Sequence, residues 1–145
     1  QIISSRCIIR PFQSHEIDSF MLYRNDAEWM KYQGFKGLTK EDYEAELLGV
    51  LTPARGIQLA IVNKLTQVLI GDIYLRQQCD VFWLGYTISP AYARQGYAIE
   101  AITATIDWIK ENGFSLIKAG VNPENTLSKK LLIRIGFNFS SIEDG

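Results

Sequence analysis

Three β-rich runs, IQLAIV (57–62), VLIGDIYL (68–75) and VFWLGYTIS (81–89), follow one another with only NKLTQ and RQQCD between them. Links of that length are too short for the dozen or so residues that a parallel crossover needs. Consecutive runs must therefore pair antiparallel, as a three-stranded meander. The pattern then changes. Ile99, Ile102, Ile106 and Ile109 recur at helical spacing, a single apolar stripe. Gly113 fits as its C-terminal stop, and SLIKAGV (115–121) reads as a further strand. A strand, a helix and a second strand in succession predict a right-handed parallel crossover. The class is α+β: a mixed, mostly antiparallel sheet flanked by helices, with one parallel βαβ unit.

The flanks fill in around that frame. RCIIRPF (6–12) is a first strand ended by Pro11, and Ser14 is the expected N-cap of a helix carrying Ile17, Phe20 and Met21 on one face. DAEWMKYQGFKG (26–37) is an irregular, aromatic connection. Thr39 and Asp42 form a capping pair for a helix that runs through EDYEAELLGVL and ends near Pro53. A last helix buries Leu127, Leu131, Leu132 and Ile135 and stops at Gly136, with FNFSSI (137–142) as a short final strand. The 145 residues show no repeat and make one domain, 1–145.

Charge and composition exclude several classes. Fifteen basic against sixteen acidic residues give a net charge of −1, unlike the basic surface of a nucleic-acid binder. No apolar run reaches the ~18–20 residues needed to span a bilayer. Cys7 and Cys79 have no CxxC spacing, so neither a disulfide framework nor a metal site is expected, and a reducing, cytoplasmic setting fits.

The stretch ISPAYARQGYAIEA (88–101) leaves a strand and starts a helix on small residues. The first turn of a helix has N–H groups without intrahelical partners at the positive end of its dipole. Gly96 and Ala98 leave room there for an anion to meet the backbone, although a simple turn would use the same residues. Asn125 and Ser128, three apart, share one side of the last helix's opening turn, as an N-cap and its first-turn neighbour also would.

Together, LGYTISPAYARQGYAIEA (84–101) and VNPENTLSKKLLIRIGF (121–137) resemble the GNAT superfamily of acetyl-CoA-dependent N-acetyltransferases. The branch most similar is that of the ribosomal-protein N-terminal acetyltransferases. The resemblance implies acetyl-CoA as co-substrate, its diphosphate on the amides of Arg94, Gln95, Gly96, Tyr97 and Ala98. The family's Gln/Arg position falls on Ala93. Asn125 and Ser128 are the implied further cofactor contacts; Lys129 and Lys130 read either as contacts to the adenosine phosphate or as solvated charges. The pantetheine arm would run along Tyr86, Thr87 and Ile88, with a bulge at Gly85, and the Ile88 N–H would stabilise the oxyanion.

The implied reaction is direct attack of a primary amine, a protein N-terminal α-amine or a small-molecule amine, on the thioester. Many relatives place an acidic tyrosine four residues before the glycine of the GF motif. Here that position is Leu132, so Ser128 or water becomes the acid. Glu100 is the nominated base, with Asp72 and Asp80 as alternatives, though each also reads as a surface or capping carboxylate; His15 reads as solvated. Trp29, Met30, Tyr32, Phe35 and Trp83 are expected either to line the acceptor pocket or to belong to the core. A non-catalytic acyl-CoA-binding or sensing domain is the competing reading, and an anion-binding module unrelated to coenzyme A a more distant one. Family members usually continue beyond the GF motif into two more strands, so the resemblance implies that a strand is missing from this sequence, disordered, or donated by a partner in a homodimer.

Overall fold

The computed structural model describes residues 1–32, 35–49, 52, 54–120 and 125–137. Its strands are β1 (Ile2–Ile3), β2 (Cys7–Pro11), β3 (Ile57–Asn63), β4 (Leu69–Gln78), β5 (Val81–Ile88) and β6 (Leu116–Ala119). Its helices are α1 (Ile17–Arg24), α2 (Lys40–Leu48), α3 (Tyr97–Glu111) and α4 (Thr126–Ile135). The strands form one sheet in chain order, antiparallel except for the parallel pair β5–β6. The meander and the crossover stand where the short links and the helical stripe predict them.

Strand alternation splits the interior in two. Ile61, Ile73, Leu84 and Ile88 face α3 and pack with its Ala101, Ile102 and Ile109. Ala60, Val62 and Leu69 face the other way, onto Phe20 and Tyr23 of α1 and Tyr43 and Leu47 of α2. The helical layers therefore sit on opposite faces of the sheet, and β5 contributes to the boundary between them.

Local details depart from expectation for identifiable reasons. Gln13, not Ser14, caps the first helix, which opens as a 3-10 turn, Ser14–Glu16. Glu16 folds back onto the Gln13 N–H at 2.8 Å and takes a two-point ion pair from Arg10, so the carboxylate is buried. On α3 the buried set is Tyr97, Ala101, Ile102, Thr105 and Ile109, while Ile99 and Ile106 are only half-buried. Thr105 passes for a polar surface position, but its hydroxyl donates to the Ala101 carbonyl at 2.8 Å and is satisfied inside the core. Leu127 is 72% exposed rather than buried. The helix expected to run on to Pro53 ends earlier, at Leu48, with Gly49 in extended backbone, and the strand expected over 137–142 lies outside the described residues apart from Phe137.

The bulge assigned to Gly85 lies elsewhere. Gly85 pairs with Tyr74 in an unbroken β4–β5 register, and a Cβ there would meet Tyr74 at an ordinary 3.6 Å. The register shift falls between β3 and β4, at Ile61/Val62, where Ile70 is the extra residue. Next to it, a Cβ on Gly71 would lie 2.2 Å from the Thr87 carbonyl oxygen, so β4 and β5 approach too closely for any side chain. Gly71→Ala is therefore expected to lose about 1–3 kcal/mol in denaturant unfolding, through overpacking against backbone that cannot turn aside. Gly85→Ala should stay within about 0.5 kcal/mol of wild type. Equal effects of the two would refute this account of Gly71.

Candidate active site

A strand inside a sheet satisfies its backbone groups on both edges. Among the described residues, β5 does so only as far as Leu84, the last residue paired with β6. From Gly85 to Ile88 its strand partner among the described residues is β4. The Ser89 N–H donates to the Ile70 carbonyl at 2.8 Å, so position 89 faces β4, and alternation turns the backbone groups of Ile88 and Tyr86 to the parted side. The Trp29 indole N–H donates to the Ile88 carbonyl there, at 2.9 Å. Thr87 is a correction to the strand reading: its backbone faces β4 and its side chain is buried among α1 and β4 side chains, away from the parting.

At the end of β5 the chain makes a short turn, Pro90–Tyr92, and enters the loop before α3. Arg94 and Gly96 both adopt left-handed backbone, φ 63° and 81°. Such residues turn successive N–H groups into a concavity suited to an anion. Gly96 caps α3 without any side-chain bond. The Glu100 N–H, bonded to the Gly96 carbonyl at 3.1 Å, begins the intrahelical ladder, which leaves the N–H groups of Tyr97, Ala98 and Ile99 ahead of it. Gly96 favours glycine for its positive φ; a Cβ there would meet the Arg6 guanidinium at an ordinary 3.4 Å.

Arg6 is the residue that sequence reasoning missed. Its Nη1 donates to the Gln95 carbonyl at 3.1 Å, its Nε pairs with Glu100 at 2.6 Å, and its guanidinium lies 4.1 Å over the Tyr97 ring. Glu100 also accepts from the Arg6 N–H at 2.7 Å and from the Ser4 hydroxyl. Burial alone would raise the Glu100 pKa, but the bonds from Ser4 and Arg6 outweigh it and hold the carboxylate below its ordinary value. A carboxylate so engaged is a poor proton acceptor, which corrects its nomination as base: it clasps the β1–β2 turn to α3.

On the opposite wall of the parting, the Tyr86 hydroxyl donates to Ser128 Oγ at 2.8 Å. Burial raises the phenol pKa and the bond to Ser128 opposes that rise. Asn125 caps α4, its side-chain oxygen accepting the Ser128 N–H at 3.3 Å. Leu132, where the resemblance would place a phenol, is buried.

Beneath the end of β5 lies a buried polar cluster. Arg24 Nη2 pairs with Asp72 Oδ1 at 2.6 Å and donates to Thr87 Oγ1 at 3.1 Å. Asp72 also accepts from the Tyr23 hydroxyl and from Gln58 Nε2. Burial, then the neighbouring Asp72 charge, pushes the Tyr23 phenol well above its ordinary pKa. Asp72 is therefore an ion-pair partner rather than a base. Asp80 is exposed in the β4–β5 turn, at the other end of β5 from Ile88.

The aromatic residues divide. Trp29 is 40% exposed at the parting, while Met30 is fully buried. Tyr32 is half-buried with the Lys31 ammonium over its ring. The Phe35 ring packs edge-on with Tyr43 and so belongs to the core, correcting its placement in the pocket, although its carbonyl accepts from Arg24 Nη1 at 3.3 Å. Trp83 sits mid-strand beside the Lys118 ammonium, about 16 Å along β5 from Ile88, and is not gathered with the others. Among the described residues no group of three potential metal ligands comes together, and no helix is long and apolar enough to cross a membrane.

The acetyltransferase (GNAT) domain family profile matches residues 6–138. The uncharacterized N-acetyltransferase YoaA of Bacillus subtilis (strain 168) is 28% identical over 143 residues, covering 92% of this chain and 80% of its own. The crystal structure of a GNAT-family acetyltransferase from Bacillus anthracis superposes with a TM-score of 0.80 at 26% identity, over 93% of this chain and 81% of that one. RimL, described as a ribosomal L7/L12 alpha-N-protein acetyltransferase in complex with coenzyme A, shares the fold at a TM-score of 0.83 and 13% identity, over 97% and 86% of the two chains.

The Glu100 clasp has a defined pH dependence. Its folded pKa lies below the ordinary 4.5, so it contributes stability above the unfolded-state value and loses that contribution as pH falls through the lowered one. The melting temperature of Glu100→Gln is expected to lie below wild type near neutral pH and to fall less steeply on acidification. Parallel curves would remove the clasp from the stability of this fold.

Proposed function

We propose, for a chain that belongs to the GNAT acetyltransferase family and is an N-acetyltransferase, that the acceptor is a primary amine, preferentially the α-amine of a protein N-terminus. The observation that carries this reading is the parting of β5 from β6 beside the left-handed loop at 94–96. An unpaired strand edge offers amide pairing to an extended arm, and the open first turn of α3 offers N–H groups to a diphosphate. Acetyl-CoA has both parts, so the residues present fit it: Tyr86 and Ile88 for the arm, Arg94 to Ala98 for the diphosphate, and Asn125 and Ser128 on the far wall.

When bound, the co-substrate supplies an acyl group activated as a thioester. The chain's part is to hold and orient. The Ile88 N–H is the donor on the parted edge that meets negative charge growing on a carbonyl oxygen. Ser128, fixed by the Tyr86 hydroxyl on one side and by its place in the first turn of α4 on the other, holds a proton at Oγ for a departing sulfur. Holding both reactants in place supplies much of the acceleration.

Proton removal from the acceptor decides between amine classes. Glu100 and Asp72 are committed to arginines, and Asp80 is at the far end of β5. An acceptor that loses its proton to water is favoured: an α-amine, pKa near ~8, over a lysine side chain near ~10.4. RimL, described as an alpha-N-protein acetyltransferase of ribosomal L7/L12, supports the same preference.

The test is release of free CoA from acetyl-CoA with peptides bearing free N-termini, N-terminally blocked lysine peptides and small polyamines. Free N-termini are expected to be the best substrates. Binding of acetyl-CoA without turnover on any of them would overturn the reading in favour of a sensing domain. Gly96→Trp is expected to weaken coenzyme A binding by at least about tenfold in calorimetry, because an indole at φ 81° strains the loop and puts bulk beside the open first turn of α3. Unchanged affinity would take the diphosphate away from this loop.

A further inference from the structure

A buried ion pair is weak evidence for stability, because apolar residues of similar volume often serve a fold as well. What an arginine adds is direction: a planar fork of donors with fixed geometry. Arg24 uses that fork across the boundary between two parts of the molecule. One nitrogen, Nη2, is held by Asp72 at 2.6 Å and reaches Thr87 Oγ1 at 3.1 Å. The other, Nη1, reaches the Phe35 carbonyl at 3.3 Å. The guanidinium is further confined by the Phe20 and Phe35 rings, with centroids 5.3 and 5.8 Å away.

The two ends of that fork matter. Thr87 directly precedes Ile88, in the part of β5 that, among the described residues, pairs only with β4. Phe35 lies near the end of the aromatic connection, at a positive φ of 49°. The same connection also touches β5 directly, through the Trp29 indole N–H on the Ile88 carbonyl at 2.9 Å. Two independent links therefore run from the connection to the last two residues of β5.

We propose that Arg24 is a positioning residue that sets the distance and angle between the aromatic connection, on the acceptor side, and the Ile88 amide, on the thioester side. This assignment of sides rests on the acetyltransferase reading above. Arg24 itself touches neither reactant. It acts through Thr87 and Phe35, so its loss should misalign the two reactants while leaving the diphosphate loop and its affinity alone.

The experiment compares Arg24→Lys, which keeps the charge beside Asp72 but lacks the fork, with Thr87→Val, which keeps the ion pair and removes only the bond to β5. Both are measured for kcat and acceptor KM, for coenzyme A affinity by calorimetry, and for the fluorine resonance of Trp29 in protein labelled with 5-fluorotryptophan, assigned through Trp29→Phe. Arg24→Lys is expected to lower kcat on the order of tenfold or more. Thr87→Val should do so to a smaller extent. In both, coenzyme A affinity stays within about twofold of wild type, well under the tenfold that 1.4 kcal/mol represents, and the Trp29 resonance shifts or broadens. The proposal is overturned if folded variants keep the wild-type kcat and an unmoved resonance. A fall in coenzyme A affinity parallel to kcat also overturns it, since that marks general damage to the sheet. If Arg24→Lys does not fold, Thr87→Val decides by the same criteria. If wild-type protein turns over no amine at all, the acetyl-transfer reading fails separately. The link itself is then upheld by a moved Trp29 resonance at constant coenzyme A affinity, and overturned by an unmoved one.

Discussion

Among the described residues the pairing of β5 with β6 runs only as far as Leu84 and Ala119, and much of the site is arranged around the edge beyond it. Unpaired strand groups away from water are costly, so a protein that keeps such an edge must support it by other means. Here the support comes from side chains. Trp29 meets the Ile88 carbonyl, Thr87 is tied beneath the strand to Arg24, and Tyr86 crosses to Ser128 on α4. Successive residues thus send their anchors to different elements: 86 to the α4 side, 87 to the α1 side, and 88 along the edge. The amides of Tyr86 and Ile88 remain directed into the parting.

The sheet was legible because link length limits topology. NKLTQ and RQQCD admit only antiparallel neighbours, and a helical stripe between two strands leaves little besides a parallel crossover. Side-chain partnerships were not legible in the same way. Arg6 and Glu100 are 94 positions apart and Arg24 and Asp72 are 48 apart, so no local pattern announces either pair. Glu100 read as a base because a carboxylate in a first helical turn beside a ligand loop looks available, and only the fold brings Ser4 and Arg6 onto it. Thr87 read as a cofactor contact because three consecutive strand residues look equivalent until the pairing with β4 separates odd from even. Gly71, not Gly85, proved to be the sterically required glycine, since the clash arises from a neighbouring strand's carbonyl.

Arginine–carboxylate pairs recur with different physical weight. Arg10–Glu16 and Arg24–Asp72 are buried and bridge the β2 and α1 region to its surroundings, where breaking either partner would strand a charge. Arg6–Glu100 is partly open, with 42% of the arginine side chain accessible, so salt screens it more than the others. Its position makes that screening consequential. A carboxylate in the first turn of α3 would oppose an anion at the same helix end, and the guanidinium offsets it.

The clasp between the β1–β2 turn and α3 also bears on how the chain is made. During synthesis residues emerge in order, at about 5–20 per second, and Arg6 appears long before its partner. Until Glu100 has left the ribosome, the amino-terminal segment lacks the counter-charge that seats it in the finished fold. The loop at 94–96, which Arg6 holds through the Gln95 carbonyl, consequently gains its full set of contacts only once the segments on either side of the meander have both emerged.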